Sequence, residues 1–294
     1  LPLLYPASLR SVCGFLTTVE HLNLLSVSRE VSKAATKGSV WTHVDFPMPT
    51  LCNPGLNVGL AILLQRLQDR STVLHRIRIC LPSLNNDHLC ALSSFAGSLR
   101  SLDIAHAGVS SIGVLSSCLS LETLDLHGSL VEEISALSHC TALRTLRIDA
   151  TQVKNIDCLL QCPLLRSLNV DDSLVSDITP LSSCTSLRAV NLAGTFITDI
   201  GPLSSCSALH TLNISCTGVP DIIALSSCTA LHTLDLHSTH IRDVRALSAC
   251  AAQHILDACS TQVTDLRVLS SCPSLRMLSV DTTYVADISV LSLC

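Results

Sequence analysis

The sequence predicts an α/β solenoid, a stack of short coils in which each coil adds one strand to a parallel sheet and one short helical turn to the opposite side. Three observations carry that expectation. From Leu99 to Cys294 the chain repeats every 22 residues, nine times and without a register slip, as in LRAVNLAGTFITDIGPLSSCSA (Leu187 to Ala208). A cysteine closes each repeat, at Cys118, Cys140, Cys162, Cys184, Cys206, Cys228, Cys250, Cys272 and Cys294. Within each repeat the segment L-x-x-L-x-L alternates apolar and polar residues, as at Leu231, Leu234 and Leu236, which is the pattern of a half-buried strand.

The elements follow in order along one repeat. Three residues past the strand a hydroxyl recurs, at Ser129, Thr151, Ser173, Thr195, Thr217, Thr239, Thr261 and Thr283, where it can bond turn backbone as the chain leaves the sheet. The return leg reads V-x-D-I-x-x-L-S-S-C and carries Pro180 and Pro202 where a helical turn begins, a place that tolerates a residue without an N–H. Leu181 and Cys184 are three apart, so on that turn they share an inward face. The cysteine column is read as a ladder of reduced, buried thiols acting as small hydrophobes, with disulfide bridges as the alternative. Cys158 and Cys162 have the wrong spacing for a zinc knuckle, so no metal is expected.

Composition agrees with a stack of uniform coils. Apolar residues make up 48% of the chain and aromatic residues 2%, so the core is built from Leu, Ile, Val, Ala and Cys. No apolar run reaches the roughly 18 to 20 residues of a membrane span, and nothing reads as a secretory leader, so a soluble cytoplasmic or nuclear protein is expected. The chain starts at Leu1 without Met and stops inside a repeat without a hydrophilic cap, which is also how a fragment of a longer protein would read. The sequon Asn213-Ile-Ser215 falls in a predicted strand and is read as chance. Residues 99–294 hold 10 Lys+Arg against 18 Asp+Glu, and residues 1–98 hold 8 against 5. With neither clustered cations nor aromatic platforms, nucleic acid is not an expected partner. No phosphate loop, nucleophile motif or metal-ligand set is present, so no enzyme and no cofactor are expected.

These columns resemble the leucine-rich repeat family over residues 99–294. The 22-residue length and the D-I-x-P-L segments (Asp177 to Leu181, Asp199 to Leu203) are most similar to the short repeats of phosphatase-regulator and internalin type. The usual Asn of the ninth position is here Ser or Thr. The usual Leu of the twentieth is Cys, which resembles the cysteine-containing repeats of F-box proteins. The resemblance implies a horseshoe with strands on its concave face, short helical or 3-10 turns on its convex face, and a protein-binding role.

On that model the concave face displays positions 3, 5 and 7 of each repeat, and the candidate partner-binding residues are Asp125, His127, Arg147, Asp149, Asn169, Asp171, Asp172, Asn191, Asn213, Asp235 and His237. Polar and mostly acidic, they suit a polar or basic partner; an ordinary solvated sheet face would read the same way. His210, His232 and His254 form a column at position 2 and are read as surface histidines rather than a metal or pH site. In the eighth repeat Gln253 replaces the first Leu and Ala258 the third apolar strand residue, so that coil is expected to be underfilled and the weakest.

The region before the array divides at the Pro/Gly-bearing segment Pro47 to Gly55. Residues 1–46 read as short amphipathic helices and resemble a degenerate F-box, with Pro6, Val12, Phe15, Leu16, the triplet Val27-Ser28-Arg29 and Trp41 in the family's order. Val31 stands where that family has a Trp, and Tyr5-Pro6 replaces its Leu-Pro. The resemblance implies contact with a Skp-type linker protein through Pro6, Leu9, Val12, Phe15, Leu16, Leu22, Leu25 and Val27; a plain helical cap on the first coil is the other reading. Residues 47–98 form a linker and an irregular first repeat, with a helix over Gly55 to Arg70 and a strand over Leu74 to Cys80. The function expected is a substrate-recognition adaptor of an F-box-type ubiquitin ligase. The alternative is a scaffold, phosphatase-regulator-like or part of a large assembly, whose N-terminal helices only cap. Lys154, the single lysine of residues 99–294, would limit self-modification in the adaptor reading.

Overall fold

Each 22-residue coil must bury its leucines and still satisfy the backbone where the chain turns, and the same local bonds do this in one coil after another. The structure is a computed structural model that describes residues 43–46, 75–79 and 84–289. Contacts divide the chain into two compact units at the Leu143/Arg144 boundary. Among the described residues the first unit holds strands β1 (His43–Phe46), β2 (Arg76–Ile79), β3 (Ser101–Asp103) and β4 (Thr123–Asp125). It also holds the helix α1 (Asn86–Cys90) and 3-10 turns at Ala91–Phe95, Gly113–Ser117 and Ser135–His139. The second holds β5 (Thr145–Arg147), β6 (Ser167–Asn169), β7 (Ala189–Asn191), β8 (Thr211–Asn213), β9 (Thr233–Asp235), β10 (Ile255–Asp257) and β11 (Met277–Ser279). Each of these strands is followed by a 3-10 turn as far as Arg267–Ser271.

Within each unit neighbouring strands pair in parallel, and along the array the partner of a residue is its equivalent 22 positions on, as in Ser167 with Ala189 and Val190 with Leu212. The predicted solenoid architecture, parallel strands with short 3-10 turns, is therefore observed. Seven positions of a coil form the core: Leu187, Val190, Leu192, Ile197, Ile200, Leu203 and Cys206 are each no more than 3% exposed. Full burial of one such aliphatic side chain is worth about 1.5–3 kcal/mol, which is why the apolar columns are so strictly kept.

Two sets of side-chain bonds turn the chain. The hydroxyl column works as its spacing predicts: Oγ1 of Thr151, Thr195, Thr217, Thr239 and Thr261 each donates to the carbonyl three residues back, at 2.5–2.7 Å. The hydroxyls of Ser129 and Ser173, in the same column, find no partner among the described residues. At the entry to the 3-10 turn, Oδ1 of Asp177, Asp199, Asp221, Asp243 and Asp265 accepts the backbone N–H two residues on, at 2.7–3.1 Å. Hydrogen bonds from the side chains of Thr179 and Arg245, and then these backbone bonds, hold the carboxyls of Asp177 and Asp243 below the ordinary range; the Arg267 side chain and then its N–H hold that of Asp265 at about 2.

Among the described residues the cysteines are free thiols, as expected, but those of the column are more than hydrophobic filler. Each described column cysteine ends a 3-10 turn, and in several coils its Sγ reaches the carbonyl of the turn leucine 25 residues earlier: Cys184 to Leu159 at 3.4 Å, Cys206 to Leu181 at 3.7 Å, Cys228 to Leu203 at 3.5 Å and Cys250 to Leu225 at 3.6 Å. In the first unit Cys140 reaches Leu115 in the same way at 3.4 Å. Each of these thiols thus adds a second donor to a carbonyl of the previous turn that already accepts a backbone N–H, as the Leu181 carbonyl does from Cys184 at 2.9 Å.

Past the helices expected within 1–46, which end at Trp41, His43–Phe46 form β1 and pair in parallel with β2, because His-Val-Asp-Phe alternates in strand fashion beside Arg-Ile-Arg-Ile. One sequence expectation needs correction. The eighth coil is not underfilled at its first position: Gln253 is fully buried and occupies the leucine site, so the defect there is a desolvated amide rather than a void. Strand β2 lies inside the predicted 74–80. The helix expected at 55–70 and the linker-contact residues Pro6, Leu9, Val12, Phe15, Leu16, Leu22, Leu25 and Val27 lie outside the described residues.

Candidate functional site

The outer face of the strands is where the array presents polar chemistry, and its middle column is partly spent on architecture. At position 5 a side-chain oxygen accepts the N–H two residues on, closing a turn at the strand's end. Asn169 accepts from Asp171 at 3.2 Å, Asn191 from Ala193 at 3.1 Å, Asn213 from Ser215 at 2.8 Å and Asp235 from His237 at 2.9 Å. In the first unit Asp125 accepts from His127 at 3.0 Å. All of these position-5 residues are half-buried. Their second polar atom is what remains for a partner.

The candidate partner-binding residues fall in both compact units. Asp125 and His127 belong to the first, where the His127 ring meets His106 edge-on at 4.6 Å. In the second, adjacent β5 and β6 bring Arg147, Asp149, Asn169, Asp171 and Asp172 together. Asp149 is only 6% exposed, and its Oδ2 pairs with Nη2 of Arg147 at 3.1 Å, which neutralises part of the cluster. Burial, and then the carboxylates of Asp172 and Asp149, push the Asp171 carboxyl above its ordinary value. Asp172 is exposed, with its backbone in the left-handed region at φ 51°. His237 is half-buried, and its Nε2 lies 3.1 Å from the Ser238 hydroxyl.

Position 8, the residue that turns away from the sheet, is left-handed in all nine coils, yet only Gly128 and Gly194 are glycines there; His106, Ala150, Asp172, Cys216, Ser238, Ser260 and Thr282 adopt it with a side chain. The sequence conceals this, since glycine is the usual marker of such backbone.

Residues at position 2, just before each strand, were recognised in the sequence only as a histidine column. In the second unit that column reads Arg144, Arg166, Arg188, His210, His232, His254 and Arg276, cationic or imidazole in every coil. The histidine rings stack, His210 on His232 at 5.1 Å and 12°, His232 on His254 at 4.9 Å and 22°. Nδ1 of His210 lies 2.6 Å from the Ala208 carbonyl, and that of His232 2.6 Å from the Ala230 carbonyl. A carbonyl only accepts, so Nδ1 carries the proton and Nε2 is left for a partner. Near-parallel rings set their free nitrogens side by side rather than converging on one ion. Among the described residues no group of three or more His, Cys, Asp or Glu is placed to hold a metal.

No family model matches the chain, and no curated protein does. Solved structures with the same fold do. An internalin, InlF of Listeria monocytogenes, is 24% identical with a TM-score of 0.70, over 80% of this chain and 66% of its own. The functional domain of InlJ from Listeria monocytogenes, described as including a cysteine ladder, is 17% identical with a TM-score of 0.52, over 76% of this chain and 56% of its own. A plant peptide hormone receptor, RGFR1 in complex with RGF2, is 15% identical with a TM-score of 0.60, over 87% of this chain and 45% of its own. The fold is thus the leucine-rich repeat solenoid. Among the described residues no helix is long and apolar enough to cross a membrane.

Proposed function

We propose that this chain is a non-catalytic protein-binding module that holds a partner protein or peptide on the outer face of its strands. The observation that carries this reading is the division of labour within a coil. Seven columns are committed to the core, two to turn bonds, and the strand face repeats polar groups at one-coil intervals on a backbone fixed by burial. A surface of this kind suits an extended partner better than a small molecule, which calls for a concave apolar pocket. That a structural neighbour is a peptide hormone receptor in complex with its ligand supports the reading by analogy of fold. Acidic Asp171, Asp172 and Asp235 give the face a place for a polar or basic stretch of the partner. The finer reading, an F-box-type ubiquitin ligase adaptor in the cytoplasm or nucleus whose residues 1–46 hold a Skp-type linker, rests on the sequence resemblance alone, as do the boundaries at 46 and 98.

The test is capture from a cell extract with the full chain as bait, read by mass spectrometry. Asp171→Arg with Asp235→Arg should release the partner that wild type holds, while Ser204→Arg on the turn side should keep it. Equal capture by all three baits would remove the strand face from the function.

A further inference from the structure

We propose that the position-2 column of the second unit, from Arg166 to Arg276, is a docking ridge for an acidic, extended protein segment lying along the stack of coils. This deepens the protein-binding reading and rests on it. The unit's other arginines are engaged: Arg147 with Asp149, Arg245 with Asp243, Arg267 with Asp265, and Arg242 with the Gln262 amide oxygen at 2.7 Å. Arg166, Arg188 and Arg276 are exposed and make no ion pair among the described residues. Between them stand three stacked imidazoles whose Nδ1 atoms face backbone, at least in His210 and His232, so that Nε2 is directed to an outside group.

Like charges set one coil apart, at roughly the 4.8 Å spacing of neighbouring strands, repel one another. In a region with more acidic than basic residues, Arg166, Arg188 and Arg276, which lack intrachain ion pairs among the described residues, are complementary to carboxylates, and the imidazoles between them donate to a carboxylate from Nε2 when doubly protonated. Five coil intervals separate Arg166 from Arg276, about 24 Å, the length of roughly seven extended residues. A nucleic-acid strand carries the same charge on all sides and would meet Asp235 in the middle column and Asp171 and Asp172 beyond it. A protein segment can be acidic along one edge and neutral or basic along the other, and so it satisfies both columns.

Fluorescence anisotropy with a labelled oligoglutamate of about ten residues, at low salt where exposed charges are least screened, tests the ridge directly. Wild type should bind it, with affinity falling as salt is raised, and oligolysine should not compete. Arg166→Glu with Arg188→Glu should weaken binding at least about tenfold with an unchanged urea midpoint. His210→Gln with His232→Gln, which keeps a polar side chain of similar reach, should weaken it less. Undiminished binding by the arginine double variant overturns the ridge, and so does equal or tighter binding of a labelled oligothymidylate. Run in the extract capture, the same arginine variant separates the two claims. Loss of partner in the Asp171/Asp235 variant alone keeps the strand face and refutes the ridge, whereas no loss in either refutes both.

Discussion

Replacing Gln253 by leucine should stabilise the protein, although it removes a hydrogen bond seen in the structure. Gln253 is fully buried at the first position of its coil, where Leu187, Leu209 and Leu231 stand in other coils, equally buried. Its Nε2 donates to the Ile255 carbonyl at 2.6 Å, while its buried Oε1 finds no donor among the described residues. An unsatisfied buried acceptor costs about 1–3 kcal/mol, and one neutral hydrogen bond returns about 0.5–1.5 kcal/mol. Leucine abolishes the first, forfeits the second, and buries a fully apolar side chain in a slot its neighbours show to be leucine-shaped. The net expectation is a gain of about 1–2 kcal/mol, read as a higher urea midpoint at unchanged slope by far-ultraviolet circular dichroism. A Gln253→Leu chain no more stable than wild type would show that the amide is worth more to the Ile255 carbonyl than desolvation takes away, and that this coil is not the weak point.

Two further perturbations address the columns. Burial holds the thiols of Cys162, Cys228 and Cys250 up at about 11 and that of Cys184 at about 12, against 9.0 for a free thiol. The folded state therefore keeps protons that the unfolded state releases, so this stability is complete below pH 9 and is lost as pH rises toward 11–12, at about 1 kcal/mol per thiol by pH 10. A urea midpoint that does not move between pH 8 and pH 10 would contradict buried thiols. At position 8, Ala150→Gly should raise stability by about 0.5–1 kcal/mol by relieving left-handed strain at φ 53°. Gly194→Ala, at φ 61° and with its new Cβ driven into the Asp172 carboxylate, should lower it by about 1–2 kcal/mol or more in the same denaturation assay.

Much of this fold is legible because one coil's solution recurs in the next. The strand, the hydroxyl turn and the inward cysteine could each be read from a column of nine letters. What escaped reading depends on geometry between coils. The donation of Cys228 to Leu203 links residues 25 apart, an offset that no pattern within one repeat displays. The position-5 carboxamides alternate like exposed strand residues, and only the backbone bend shows that Asn191 and Asn213 each spend an oxygen on the turn. The left-handed residue is hidden because seven of nine coils place a side chain there. For the site, the acidic edge was read from the sequence, but the opposite edge was seen only as three histidines, because Arg166, Arg188 and Arg276 were not read as members of the same column.

The bonds between coils in the second unit recur at fixed offsets, with Arg188 N–H reaching the Arg166 carbonyl 22 residues back and Cys206 reaching Leu181. Gain or loss of one whole repeat by recombination therefore leaves each surviving donor opposite an equivalent acceptor, whereas insertion of a single residue breaks both offsets at once. A whole-repeat change thus lengthens or shortens the binding surface by one rung, bringing with it that rung's position-2 and position-5 residues. The same degeneracy carries a kinetic hazard: during folding, β6 finds in β8 a partner almost as good as β7, and a skipped coil would be extruded as a loop.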